Sequence, residues 1–474
     1  MGTRVVVVGA GIAGLAAARG LAQRVPAGTE VLLVEGSDRI GGKLRVSPIA
    51  GVAVDEGAEA MLARAPEGVA LATDVGLAGE LTHPATTSAS VLADGVPRPL
   101  PAGTVMGVPA DADSVGDAGL FTAATLARIA AEPDLPGRPL GADEDVAVGE
   151  LVADRLGREV VDRLVDPLLG GVYAGRADLL SLRATVPALA DALADAGPTG
   201  SAGSLLRAVR RVRAAAPPAG GPVFATLRGG LGSLPGAVAS DGRMRIRLGL
   251  PVREIHRAGS GFRLTAGPVP DPTYLDADAV VVAVPAAKAA GMLATVAPWA
   301  TAELHGIDYA SVAIVTLAYQ GVTLPTGSGL LVPAGEGRSI KAVTFSSAKW
   351  NHLAGDGVVL LRGSVGRYGE ERVLHRDDAD LADLVAGEVA ELTGLRADPV
   401  EARVTRWGGA LPQYGVGHLD RVRRIKEAVS EVPGLAVCGA AYSGVGVPVC
   451  IRTAHQAVAQ VLGFLSRGAE SRYG

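Results

Sequence analysis

Three glycines, one acid and a second glycine pair carry the clearest chemistry in this 474-residue chain. Gly9, Gly11 and Gly14 stand as G-x-G-x-x-G directly after the apolar run 5–8 and before an alanine- and leucine-rich stretch. That spacing serves a diphosphate: the first glycine allows a tight turn, the second lets the backbone approach the phosphates, and the third lets helix and strand pack closely. Glu35 closes a second apolar run, 31–34, where its carboxylate is placed to accept from both ribose hydroxyls of an adenosine half. A carboxylate there repels a 2′-phosphate, which argues against NADP. Arg39, Gly41 and Gly42 follow at once. By contrast, no Ser-His-Asp, Cys-His or paired-carboxylate arrangement demands a catalytic role. The seven histidines show no metal-ligand spacing, so no metal site is expected. The chemistry is that of a bound dinucleotide, hence redox, with the protein supplying binding, orientation and electrostatics.

These residues need a frame. The run 5–8 reads as a buried parallel strand, and residues 13–24 as the helix whose free N–H groups and dipole receive the diphosphate. Far along the chain, Val437-Cys438-Gly439-Ala440-Ala441 ends another strand. Ser443-Gly444-Val445-Gly446-Val447 then precedes a closing helix from about 451 to 465. Paired with the N-terminal motif, this tail completes a discontinuous Rossmann-like α/β domain. Gly439, Gly446 and Val447 thereby join Gly9, Gly11, Gly14, Glu35, Arg39, Gly41 and Gly42 as candidate cofactor contacts. Val252, which opens a strand at 252–256, is added to them. The length calls for more than one core. The expected division is 1–80, 222–300 and 405–474 for the cofactor domain, with 81–221 and 301–404 as an inserted α+β substrate domain, helical and then sheet-rich. In the insert the pattern predicts a hairpin at Asp94-Gly95, helices at 121–131, 146–156, 160–164 and 188–196, and a linker at 214–222. Strands follow at 310–319, 330–332, 340–345 and 358–363, then an amphipathic helix at 378–394. A further helix is expected at 67–80.

The pair Gly41-Gly42 behind Arg39 resembles the extension of flavin amine oxidases, desaturases and porphyrinogen oxidases, where it reaches the flavin side of FAD. The resemblance implies a glutathione-reductase-like fold and FAD rather than NAD. Longer stretches are similar to one family, the protoporphyrinogen and coproporphyrinogen III oxidases, in their compact Gram-positive and actinobacterial form. They are Asp166-Pro167-Leu168-Leu169-Gly170-Gly171-Val172-Tyr173-Ala174-Gly175, Phe224-Ala225-Thr226-Leu227-Arg228-Gly229-Gly230-Leu231, and Tyr309-Ala310-Ser311-Val312. Residues 346–350, Arg406-Trp407 with Pro412-Gln413-Tyr414-x-x-Gly417-His418, and Gly444-Val445-Gly446-Val447-Pro448-x-Cys450-Ile451 complete the set. The likeness runs from residue 3 to about 465. It implies oxidation of coproporphyrinogen III to coproporphyrin III in haem biosynthesis, with O2 as acceptor and hydrogen peroxide released. Six electrons leave the macrocycle over three flavin cycles. Protoporphyrinogen IX, with two propionates instead of four, is the alternative substrate.

Four carboxylates call for cations at the rim of a flat apolar slot. Arg45, Arg64, Arg176 and Lys349 are the candidates, against the plain reading of cations that solvate a surface. Where many relatives carry a lysine after the residue matching Arg64, this chain has Ala65. Tyr173 either lines the slot or packs a helix turn; His418 either orients the loop after Tyr414 or is a structural histidine.

Other chemistries fit the same scaffold. Amine oxidases that resemble it carry a lysine near the flavin on the strand beginning Tyr-x-Ser-Val. Here the matching position is Ile314, and no lysine lies between 289 and 340. No cysteine precedes the Pro412-Gln413-Tyr414 block, so the FAD is expected to be non-covalent. A desaturase, or a flavin-binding assembly factor without turnover, completes the alternatives. The net charge of −5 gives no reason to invoke nucleic acid. Despite a mean hydropathy of +0.31, no apolar run is long enough for a spanning helix. Because the chain enters its first strand at once, no signal peptide and a cytoplasmic location are expected. Cys438 and Cys450 read as buried thiols in a reducing compartment, a disulfide being the other reading. Arg207, Arg210, Arg211 and Arg213 read as a solvated helix face, or as a contact for anionic lipid or a downstream haem-pathway enzyme.

Overall fold

The computed structural model describes residues 2–137, 139–141, 143–195, 203–215, 221–355 and 357–473. Five parallel strands form its central sheet, in the order Arg245–Arg247, Glu30–Val34, Arg4–Val8, Ala279–Val282, Leu435–Val437. The inner strands are continuous apolar runs because both faces are covered. Val5, Val7, Val31, Leu33 and Val281 pack towards helix Ile12–Ala22 and the closing helix Val447–Tyr473. Their neighbours Val6, Val8, Leu32, Val34 and Val280 face the opposite side, where the antiparallel strands Val252–Ala258, Gly261–Ala266 and Thr273–Ala277 pack with helix Ala286–Leu293. Gly11 stands as N-cap of helix Ile12–Ala22 with no side-chain cap, which leaves the first N–H groups of that helix for a ligand.

A second sheet holds seven strands in the order Glu401–Pro412, Tyr309–Gln320, Val358–Val365, Ile340–Thr344, Gly329–Leu331, Ala89–Ala93, Val96–Pro99. Helix Asp378–Thr393 covers it with Leu381, Val385 and Val389, the apolar stripe expected of 378–394. The predicted hairpin turns at Asp94 and Gly95, with φ of 51° and 75°, as a two-residue turn between right-twisted strands requires. Residues 405–412 were expected to open the last cofactor-domain segment. They instead pair along Tyr309–Gln320, inside this second sheet.

A helical lobe comprises Ala123–Ala131, Val148–Leu156, the π-helical turn Val161–Val165, Asp166–Tyr173, Pro187–Ala194 and Leu205–Ala215. Residues 216–220 of the expected linker, and residue 196 of the helix expected at 188–196, lie outside the described residues. In Leu205–Ala215 the leucines and Val209 point inward. Arg210 donates to the Ala110 carbonyl at 2.8 Å and Arg211 to the carbonyls of Asp195 and Ala192, so both tie the lobe together. The helix expected at 67–80 stops at Asp74, because Gly76 turns the chain with a φ of 83° before a short 3₁₀ turn, Ala78–Glu80. The closing helix begins at Val447 rather than 451, so the glycine loop abuts its first turn. Helices Pro298–His305 and His418–Ser430 were not anticipated. Both cysteines are buried free thiols, which removes the disulfide reading. No helix among the described residues is long and apolar enough to cross a membrane.

Candidate active site

A single cavity of about 1130 Å³ opens at the carboxyl ends of the parallel strands and continues to the seven-stranded sheet. Open α/β sheets bind ligands at that end. The glycines explain its floor. Gly9 has a φ of 100°, and a Cβ there would come within 2.7 Å of the Ala283 carbonyl oxygen. A Cβ on Gly14 would overlap the Gly9 carbonyl, whereas one on Gly11 would meet nothing within 4 Å and would project into the cavity. Gly41 donates to the Ala10 carbonyl at 2.8 Å and bridges to Gly11, and a Cβ on Gly42 would stand 3.2 Å from the Gly11 Cα. The two glycine blocks form one clasp.

Glu35 is fixed by its surroundings. One carboxylate oxygen accepts from the Ala10 N–H at 2.7 Å, the other from the Ser37 N–H at 2.8 Å and its hydroxyl at 2.9 Å. Its residue lines the cavity, as do Val252, Gly439, Gly446 and Val447. Gly439 donates to Thr453 Oγ1 at 2.9 Å, holding the end of the last strand against the closing helix. Arg39 departs from expectation. Its guanidinium donates to the Gly42 carbonyl at 2.8 Å and to that of Ile40 at 3.3 Å, and lies 6.0 Å from the Trp407 ring. It braces the clasp from outside and does not line the cavity.

The residues present fit a dinucleotide. There is an open helix N-terminus, a glycine floor where side chains would intrude, and an anchored acid. The space exceeds the roughly 300–1,000 Å³ that houses one drug-sized ligand, as a ligand of dinucleotide size requires.

The expected substrate residues lie elsewhere. Lys349 Nζ sits 2.6 Å from Glu59 Oε1, against the rings of Trp350 and Phe224, and Arg362 binds the second Glu59 oxygen. Burial would raise the Glu59 carboxyl, but the two cations outweigh it and hold it at about 2. Lys349 is therefore spent on an internal ion cluster, a correction to its reading as a carboxylate ligand. Arg45 pairs with Glu56 at 3.2 Å. Arg64 and Arg176 are exposed and fall outside the lining, a few residues beyond the lining positions Ala60 and Val172. Tyr173 also lies off the cavity: its ring packs 5.6 Å from Tyr414 in the helical core, and its carbonyl accepts from Gln413. Of its two readings the structure selects packing. His418 stacks on Tyr414 at 4.1 Å with Nε2 3.3 Å from the Tyr442 carbonyl, and burial pushes its ring down to about 4. It is a structural histidine.

Several lining residues escaped the sequence. Tyr309 is one, its hydroxyl accepting from the Ala286 N–H at 2.9 Å. Trp407, Arg253 and the lysines 43, 288 and 341 are others. Lys341 stands one residue past the lysine-free stretch 289–340 and enters from strand Ile340–Thr344, two strands away from Tyr309–Gln320. A signal was present, since the chain has five lysines against thirty-nine arginines, and three of those five line this cavity.

The sequence profile of the flavin-containing amine oxidoreductases matches residues 12–462. The coproporphyrinogen III oxidase of Mycobacterium tuberculosis is 42% identical over 464 residues, covering 96% of each chain. That of Bacillus subtilis is 32% identical over 479 residues, covering 97% of this chain and 98% of its own. A solved structure from Exiguobacterium, of a protein whose name assigns it to protoporphyrinogen oxidation, superposes with a TM-score of 0.85. It is 33% identical, with 97% of this chain and 98% of that one covered. The cofactor of the cavity is thus a flavin. The chain belongs to the flavin-containing amine oxidoreductase family, within its coproporphyrinogen III oxidase group.

Proposed function

We propose that this protein oxidises coproporphyrinogen III to coproporphyrin III with O2, using non-covalent FAD. The observation that carries the reading is the continuity of one cavity from a dinucleotide clasp to a wall of apolar side chains on the second sheet. Glu35 would hold the adenosine ribose, and Gly9, Gly11 and the first turn of helix Ile12–Ala22 the diphosphate. Gly439, Gly446 and Val447 would meet the flavin edge at the start of the closing helix, where N–H groups favour developing negative charge. When bound, the flavin supplies a two-electron acceptor that takes hydride from carbon and is reoxidised by O2. The chain would orient the macrocycle: Val312, Ile314, Ala410 and Leu411 on the second sheet, with Val172 from helix Asp166–Tyr173, provide an apolar wall. The Tyr309 hydroxyl is pinned to the Ala286 N–H, which fixes its ring in the same wall. Arg64 and Arg176 are the rim cations proposed for the carboxylates.

Purified protein given coproporphyrinogen III or protoporphyrinogen IX in air, with porphyrin fluorescence followed, tests the assignment. Faster turnover of the four-carboxylate substrate is expected, with FAD released on denaturation. Arg64→Gln and Arg176→Gln should each raise its KM about tenfold, the loss of one charge-assisted hydrogen bond of about 1.5 kcal/mol. Preference for the two-carboxylate substrate would select the alternative, and turnover of neither would end the porphyrinogen reading.

A further inference from the structure

Lys341 lies in strand Ile340–Thr344, where the pairing with Val358–Val365 slips: Ile340 faces Val365 and Ala342 faces Ser364, so Lys341 is an extra residue. Such a bulge re-aims a side chain, and bulges gather beside active sites. Ser364, on the strand it pairs with, and Ile314, opposite Ser364 on the next strand, line the same cavity. The residue is only 7% exposed, yet among the described residues its amine has neither hydrogen-bond nor ion-pair partner. The Nζ is not one of the sealed unpartnered polar atoms of the fold, so it opens onto the cavity.

A lone buried ammonium is costly, and nothing here offsets it. The charged group acting on Lys341 is Arg367, another cation. Arg367 is itself spent on the carbonyls of Val332, Ile340 and Arg338. The nearby carboxylates, Glu370, Asp166 and Glu388, act on Arg367 rather than on the lysine. Burial and that neighbour push the amine down to about 7, where it is half neutral at physiological pH. Arginine, the far commoner cation in this chain, cannot release its proton and would suit a carboxylate better. Lysine here is the choice for proton transfer.

We propose that Lys341 is the general base of the oxidation, taking the proton that leaves the macrocycle with each hydride, from a pyrrole nitrogen in two turns and from a bridging carbon in the third. The inference rests on the porphyrinogen reading above. Going from porphyrinogen to porphyrin removes six electrons and six hydrogens, four from the bridging carbons and two from the pyrrole nitrogens; three leave as hydride and three as protons. In each two-electron turn a C–H bond breaks with its electron pair leaving for the flavin. In two of the three turns an N–H bond, and in the remaining one a further bridge C–H bond, breaks with its pair staying on the macrocycle, and the proton forms an N–H bond on the Lys341 amine. The ammonium then returns that proton to water before the next turn.

The test compares wild type with Lys341→Met and Lys341→Arg in the flavin-loaded protein. Wild-type kcat/KM for coproporphyrinogen III should rise with pH through a limb near 7. Both variants should lose the limb and about 10²–10³ in kcat, the usual share of general base catalysis, with KM and affinity for coproporphyrin within about threefold. Lys341→Met should keep its flavin and melt no lower than wild type, since it removes a buried amine. With five lysines in the chain, ¹³C labelling at the ε-carbon gives a readout free of turnover. The resonance missing from Lys341→Met should titrate near neutral pH. Retained activity in Lys341→Arg with a raised KM for Lys341→Met would make the residue a carboxylate anchor and overturn the proposal. So would a resonance titrating above pH 9, or an unchanged pH profile in Lys341→Met. If wild type itself turns over neither porphyrinogen, the substrate reading fails and takes the base with it. Wild-type turnover undiminished in both variants sinks the base alone.

Discussion

Glu59 holds Lys349 and Arg362 at once, so its loss strands two cations in a poorly solvated site. Glu59→Gln is expected to cost on the order of 3–5 kcal/mol, read as a lowered denaturant midpoint. Lys349→Met, which leaves the Glu59–Arg362 pair intact, should cost less. The carboxyl is held at about 2 against an ordinary 4.5. Its stabilisation is therefore complete above 4.5 and lost only as pH falls towards 2. His418 fails sooner. Its ring is neutral in the fold, with a value of about 4 against 6.5 when unfolded. The stability it lends is present above 6.5 and drains away as pH falls to 4, on the order of 3 kcal/mol in all. His418→Phe keeps the stack on Tyr414 and takes up no proton. Its melting temperature should fall less than that of wild type between pH 6.5 and 4, and equal slopes would refute the linkage.

At the scale of elements, the clasp makes two glycines of one motif answer differently. A methyl on Gly14 overlaps the Gly9 carbonyl, so Gly14→Ala must push helix Ile12–Ala22 off its strand. The expected product melts lower and purifies without flavin absorbance. Gly11→Ala meets no protein atom, and its methyl intrudes only on the ligand. It should melt as wild-type apoprotein does while binding flavin at least about tenfold more weakly, as a titration of the apoprotein would read. These elements were legible in the sequence because local pattern specifies them. Glycine spacing, an apolar run and a following helix sit within forty residues, and Asp94-Gly95 announces its own turn. The cations were not legible in the same way. Lys349 is withdrawn by a carboxylate 290 positions away, and Lys341 is turned inward by a ladder slip that leaves no mark in the alternation. Tyr173 is drawn into the helical core by Tyr414, from a distant segment, whereas Arg39 turns back on the nearby carbonyls of Ile40 and Gly42. Both ends of the cofactor site could be read from sequence; which side chains face the macrocycle could not.

At the scale of the whole molecule, the central sheet is assembled from widely separated stretches of chain. Arg4–Val8 pairs with Glu30–Val34 on one side but must wait for Ala279–Val282 on the other, and that strand waits for Leu435–Val437. The closing helix, which packs on helix Ile12–Ala22 and presents Gly446 and Val447 to the cavity, comes last. The clasp and its far wall thus belong to opposite ends of the chain. On a ribosome adding ~5–20 residues per second, the last strand follows the first by roughly 20–90 s. Through that interval the nascent chain carries an unfinished parallel sheet with an open edge and half of a binding site. Flavin loading is then a post-translational event, and how much of the chain matures is set by the flavin supply it meets on release.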